Sequence, residues 1–270
     1  MKTSFRASAI ATAVLGCWLA MAGPAGAGTD GSPGAGSARF AFATHHTGRG
    51  NDSAHSDSST GHWRGQSMAE WAKDWWRWWM PIPANVNPAL DDGTHCGINQ
   101  EGPVWFIGGP ITPTFARTCA IPHGKAILSP ITSFINDYPC PNPAFQPAAG
   151  QTLEDFLAAG IADAVSQTSG QAILDGKPFK AARVSTTLFG FSGAASLSAF
   201  DSCVTGSPQV GVSDGYFIVI EPLPRGDHVL QITSNGPFGP SSGTFTLKIR
   251  RPLALETERA GLPQIHQRAT

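Results

Sequence analysis

The chain has 270 residues, among them 31 glycines and 22 prolines, with only 14% charged residues and a formal net charge of −1. So near-neutral a balance supplies no electrostatic footprint for nucleic acid and no basic stripe for anionic lipid. Frequent turn formers with little charge suit an extracellular, β-rich domain instead.

Residues 1–27 are predicted to be an export signal peptide. Lys2 and Arg6 form its charged start, Ala9 to Ala22 its apolar middle and Ala25-Gly-Ala27 a small-residue cleavage site. Cys17 lies inside the apolar run rather than after it, which argues against lipid attachment. No second apolar span follows. The mature protein is therefore expected to be exported, periplasmic or extracellular, without an integral membrane span. Residues 28–63 are predicted to be a disordered Gly/Ser/His-rich linker. Up to His62 they offer only Phe40 and Phe42 as large apolar groups, too little to offset ordering entropy. The irregularly spaced His45, His46, His55 and His62 in this linker could hold a transition metal only weakly.

Residues 64–251 are long enough for a single domain with a real core. It opens on Ser67-Met-Ala-Glu-Trp-Ala-Lys-Asp-Trp-Trp-Arg-Trp-Trp-Met80, which holds five of the eight tryptophans. Ser67 followed by Glu70 is a capping-box signature, and Pro81 and Pro83 end the segment. At 100° per residue, Trp71, Ala72, Trp75 and Trp79 share one face, with Trp76 and Trp78 at its edges. Glu70, Lys73, Asp74 and Arg77 fall opposite. This predicts an amphipathic helix. Burying its five indoles would remove about 1,000 Å² from water and contribute at most roughly 25 kcal/mol gross. The centre of the face is therefore assigned to the core, and only the edge indoles stay open to a ligand.

A turn-filled loop follows from Pro81 to Gly93, then a short buried strand at Pro103–Ile107. Further strands are predicted at Thr114–Ile121 and Lys125–Ile135, broken at Pro122-His-Gly124 and at Pro130. Tyr138 to Pro147 reads as loop. Thr152 and Asp155 open a second helix, with Leu153, Phe156, Leu157, Ile161, Ala164 and Val165 at helical spacing and Gly170 as its stop. The β pattern returns at Ala172–Leu174, an Asp175-Gly176 turn and Arg183–Phe189. Tyr216–Glu221, His228–Thr233 and Thr244–Arg250 read as an antiparallel meander, the last alternating Phe245, Leu247, Ile249 with Thr246, Lys248, Arg250. Residues 252–270 form a polar tail. The predicted fold is mainly β: an antiparallel, jelly-roll-like β-sandwich with two covering α-helices, a closed barrel being the alternative.

Without Cys17, four cysteines remain: Cys96, Cys119, Cys140 and Cys203. An even count in an exported chain implies two disulfides, with three possible connectivities, of which nearest-neighbour pairing is the reading adopted. No cysteine pair has zinc-ligand spacing.

Taken together, several motifs resemble a family of uncharacterised exported bacterial proteins. They are Trp71-x3-Trp75-Trp76-x-Trp78, Asn87-Pro, Asp92, Cys96, Gly102-Pro-Val-Trp-Phe-Ile107, Arg117-x-Cys119-x3-His123-Gly-Lys125, Ser213-Asp-Gly-Tyr216 and Pro222-Leu-Pro-x-Gly-x-His228. The likeness covers most of residues 64–250 and is weakest around 141–212. It implies a compact secreted domain and carries over no catalytic residues.

Three function classes follow. The leading one is a non-catalytic domain, structural or binding a glycan or cell-surface component, with Trp76, Trp78 and Trp105 as ligand-stacking candidates. The second is a secreted polysaccharide hydrolase, which would need two carboxylates converging across a cleft from among Asp92, Asp214 and Glu221. The third is a metal-binding domain, with calcium held by Asp91, Asp92 and Glu101 in an oxygen-rich loop, or a transition metal held by the linker histidines. Gly211-Val-Ser213-Asp-Gly215 and Gly239-Pro-Ser241-Ser-Gly243 match a hydrolase nucleophile pattern. Neither is expected in the required strand–turn–helix setting. His228 and His123 are read as structural groups near strand ends, and His95 as a neighbour of the oxygen-rich loop.

Overall fold

The computed structural model describes residues 62–251; the predicted signal peptide, most of the linker and the tail lie outside them. The domain is a β-sandwich of two five-stranded sheets, neither closed into a barrel, with two covering helices. A small hairpin, β1 (His62–Trp63) with β2 (Gln66–Ser67), leads into α1 (Met68–Trp79). Ser67 caps α1 by accepting a hydrogen bond from the Glu70 amide. At the other end the buried Asn87 side chain donates to the carbonyls of Ile82 and of Trp79, which also accepts from the Ile82 amide, and so pins the turn that follows the helix.

Sheet I comprises β3 (Val104–Phe106), β5 (Ala126–Tyr138), β10 (Pro208–Ile220), β8 (Ala182–Ser185) and β9 (Phe189–Ser192), the last two both pairing with β10. Sheet II runs β4 (Thr114–Pro122), β12 (Gly239–Arg250), β11 (Gly226–Gly236), β6 (Ser169–Leu174), β7 (Lys177–Phe179). Pairing is antiparallel except for one parallel pair in each sheet, β3–β5 and β4–β12. Between the sheets lie Ile127, Ile131, Ile218 and Ile220 of sheet I and Leu230, Ile232, Phe245, Leu247 and Ile249 of sheet II. The opposite face of sheet I packs Leu128, Phe217, Phe189 and Phe191 under the α1 indoles. The second helix, α2 (Leu153–Ser166), is capped by Thr152 and lies over the far end of β5 and β10. There Leu157 and Ile161 meet Val212, and Asn136 donates to the Leu157 carbonyl.

Three expectations change. β5 runs unbroken through Pro130 because the β5–β10 register slips there: Tyr216 faces Thr132 and Phe217 faces Pro130, leaving Ile131 as a bulge. A bulge is where a strand tolerates a residue with no N–H to donate. The three late strands are not one meander. β10 belongs to sheet I, and the proline-rich Pro222–Arg225 link carries the chain across to β11 and β12 in sheet II. α2 ends at Ser166, and Gly170, expected as its stop, lies inside β6.

Candidate functional site

The stacking candidates are buried. Trp76 and Trp78, at the edges of the apolar arc, are 2% and 7% exposed, and Trp105 is 8% exposed. Trp76 donates its indole N–H to Ser213 Oγ at 2.6 Å, and its ring meets Trp75 and Trp79 edge-on. Trp78 donates to the Ile98 carbonyl at 2.9 Å and packs against Phe106. Trp105 faces the space between the sheets. Both edge indoles are covered because β10 flanks the helix on the Trp76 side and the 96–107 segment flanks it on the Trp78 side. Even the polar side is partly covered, since the buried Lys73 bridges Glu70 and Thr187. None of the three indoles presents an open face.

The oxygen-rich loop is occupied by its own donors. Asp91 accepts from the Gly93 and His95 amides and from the His95 ring, and Asp92 accepts from the Thr94 amide and hydroxyl. The Thr94 contacts hold the Asp92 carboxyl below its usual range. Glu101 is exposed and does not converge with Asp91 and Asp92. The loop does surround a cation, but one supplied by the chain. The guanidinium of Arg117, 2% exposed, donates to the carbonyls of Asp91, Gly108, Gly109 and Ala89 and lies against the rings of Phe115 and Phe245, which also touch each other. Burial pulls its pKa down to about 10. In the sequence Arg117 stands out only as a motif position, and nothing local to it signals this role.

The carboxylates considered for hydrolysis are each engaged elsewhere. Asp214 holds Arg183 in a two-pronged pair, and Glu221 accepts from the Trp63 indole and Arg64. Ser213 lies in the middle of β10, fully buried, between Trp76 and Ser133, and Ser241 donates to the Thr112 carbonyl from within β12. Neither serine sits on a strand-to-helix turn. Gly215 of the first motif is required by packing: a Cβ there would lie 2.4 Å from the Thr132 carbonyl oxygen beside the bulge. His228 joins three segments, its ring nitrogens meeting Asp175 at 2.7 Å and the Pro224 carbonyl at 3.0 Å. His123 and His95 enter no catalytic grouping. Both disulfides, Cys96–Cys119 and Cys140–Cys203, are formed, tying the loop to β4 and the end of β5 to the segment before β10.

Two features remain that the sequence did not announce. The first is a shallow, open depression of about 350 Å³ where β6 meets β11, lined by Ser169, Gly170, Gln171, Thr233, Ser234 and Asn235 and called the β6–β11 cleft below. Every lining side chain is a hydroxyl or an amide, and none is charged. On its inward side Gly170 is closely packed, because a Cβ there would lie 2.5 Å from the core residue Ile131. Three residues beyond Asn235, at the tip of the β11–β12 hairpin, Phe238 is 57% exposed and makes a tilted ring contact with Phe134.

The second is a buried acid pair, Asp137 at the end of β5 and Asp201 before Cys203. Burial, then the neighbouring Asp201 charge, pushes the Asp137 carboxyl up to about 8, and burial also raises Asp201. The buried Gln209 lies against this pair. Acidic residues 64 positions apart, each beside turn-forming neighbours, resemble ordinary turn chemistry in sequence.

Among the described residues no helix is long and apolar enough to cross a membrane. Comparison with protein-family models, with curated proteins and with solved structures finds no match to this chain.

Proposed function

We propose that the chain is an exported, disulfide-braced binding domain without catalytic activity, and that the β6–β11 cleft takes a neutral glycan of a cell surface or matrix. The observation carrying this reading is the chemistry of the cleft. Uncharged hydroxyl and amide groups line an open groove of ligand-sized volume, with the exposed Phe238 ring close by in the chain. Sugar hydroxyls pair with such groups, and apolar sugar faces stack on an aromatic ring. The layering supports it: sheet I is covered by α1 on one face and by sheet II and α2 on the other, which leaves sheet II as the accessible sheet.

Membership of the exported bacterial family belongs to the same proposal. Several of its motif positions hold the fold together: the α1 indoles in the core, Asn87 at the helix end, Arg117 under the loop, Ser213 under Trp76 and His228 at the link between sheets. Those positions describe a scaffold and carry no active site.

The test is binding of the oxidised full chain to an array of neutral and charged glycans, repeated with Gln171→Ala/Asn235→Ala and with Phe238→Ser. Retention of neutral glycans, weakened at least ~10-fold by the cleft substitutions, is expected. Binding only to charged glycans, or binding indifferent to all three substitutions, refutes the proposal.

A further inference from the structure

We propose that Asp137, Asp201 and the Gln209 amide oxygen form a binding site for one hard divalent cation of the calcium class, at the disulfide-tied end of sheet I. Strand pairing assembles it. Asp137 pairs with Gly211, so its side chain shares a face of the sheet with Gln209, two residues before Gly211 on the same strand. Asp201 arrives from the segment after the short helix Ala195–Leu197. The Cys140–Cys203 disulfide fixes it there, joining the chain three residues after Asp137 to the chain two residues after Asp201.

A pair of carboxylates alone would be no argument. What points to a ligand is the orphaned oxygen atoms beside them. Asp137 is 2% exposed and no N–H or hydroxyl donor reaches its Oδ2, its carboxyl meeting only the other oxygen-bearing groups of the cluster, Asp201 and Gln209; Gln209 is 4% exposed and no donor of that kind reaches its Oε1. The amide is not ambiguous. Its nitrogen donates to the Pro139 carbonyl at 3.0 Å and the Cys203 carbonyl at 2.8 Å, so the end without a donor is the oxygen. Asp201 is oriented in turn, its Oδ1 accepting from the Cys203 amide at 2.9 Å.

The donor set selects the cation. One carboxylate oxygen of Asp137 and one of Asp201 lie within 4.8 Å of each other, a span that two ligands of a single calcium ion can have. Cys203 sulfur stands in the same group, but it is half of a disulfide and supplies no thiolate, which removes the soft donor that zinc or copper would favour. Two carboxylates and an amide oxygen match a hard cation whose charge balances theirs. Asp201 is only half-buried and gives the ion access from solvent. This site lies apart from the β6–β11 cleft, so the two proposals stand or fall separately.

The test uses the full oxidised chain, stripped with a chelator and titrated with calcium and with magnesium, read by native mass spectrometry and by the thermal midpoint. Extracellular calcium modules bind at ~0.1–1 mM, and that range is expected here. One calcium per chain should bind, the midpoint should rise with calcium, and magnesium should do less. Asp201→Asn, which keeps an oxygen for the Cys203 amide, and Gln209→Met should each weaken calcium binding at least ~10-fold, while Asp92→Asn leaves it unchanged. If Asp137→Asn fails to fold, the half-buried Asp201 variant carries the test. No ion and no midpoint shift at about 10 mM calcium, well above that range, overturns the proposal. So does calcium binding that survives both substitutions, or that is lost in Asp92→Asn instead.

Discussion

Replacing Arg117 by methionine tests whether the loop from Asn87 to Gly109 is held by one buried guanidinium. The substitution keeps a long unbranched side chain but removes all donors to the carbonyls of Ala89, Asp91, Gly108 and Gly109. Each buried acceptor left without a partner costs about 1–3 kcal/mol. Against that stands the recovered cost of burying the charge. A pKa lowered from 12.5 to about 10 corresponds to a desolvation penalty on the order of 3 kcal/mol. The net expectation is a loss of about 3–5 kcal/mol, as when one member of a buried charged group is removed. At 2–4 °C per kcal/mol for a domain this size, the thermal midpoint should fall by roughly 6–20 °C. Arg117→Lys should fall between, since an ammonium keeps the charge but loses the planar fork and its contact with the Phe115 and Phe245 rings. Urea unfolding followed by far-UV circular dichroism measures this: the midpoint moves and the m-value does not. A methionine variant within about 1 kcal/mol of the parent would show that solvent, rather than Arg117, satisfies those carbonyls.

Trp76→Phe removes the N–H that Ser213 Oγ accepts at 2.6 Å in a fully buried setting, and should cost about 1–3 kcal/mol in the same urea assay; a neutral result would deny that contact a role. Burial disfavours the charged His228 ring, yet contacts with Asp175 and the Pro224 carbonyl outweigh it and raise its pKa above the usual 6.5, while Asp175 is lowered. The His228 contribution is thus complete below the unfolded-state pKa and disappears as pH rises through the folded-state value. Urea midpoints between about pH 5.5 and 8.5 should therefore fall more for the parent than for His228→Gln, and parallel curves would contradict the assignment. Replacing Cys140 and Cys203 by serine should cost about 4 kcal/mol and replacing Cys96 and Cys119 about 3, because the first bridge spans 63 residues and the second 23. Calorimetry of the two double variants would reveal a reversed order.

The helices were legible because each carries its own period and its own cap: Ser67 and Thr152 stand where the apolar spacing begins, and both accept the N-cap hydrogen bond. The strands were legible in their centres and not in their extents. Gly239–Gly243, outside the predicted strand Thr244–Arg250, is ladder because Ile232–Gly236 of β11 and the start of β4 pair with it, and no local signal reports such neighbours. Pro130 looked like a break because the bulge that accommodates it exists only in the pairing with β10. The assignment of β10 to one sheet and β11 to the other depends on which faces meet, which a short proline link does not encode. The cleft and the acid pair were invisible for one reason: each unites residues 60 or more positions apart that look unremarkable alone.

The burial of the indoles also decides how this protein can be watched. All seven tryptophans among the described residues are at most 8% exposed, and six of them belong to the single cluster beneath and around α1. Their fluorescence reports water reaching the core, so the seven should shift to longer wavelength together on unfolding. None lines the β6–β11 cleft, and a ligand settling there should leave the emission almost unchanged. Trp75 and Trp79, stacked at 5.8 Å with planes 9° apart, are close enough for their electronic transitions to couple. The resulting circular-dichroism band would mark the lid over sheet I as intact, independently of the strands below it.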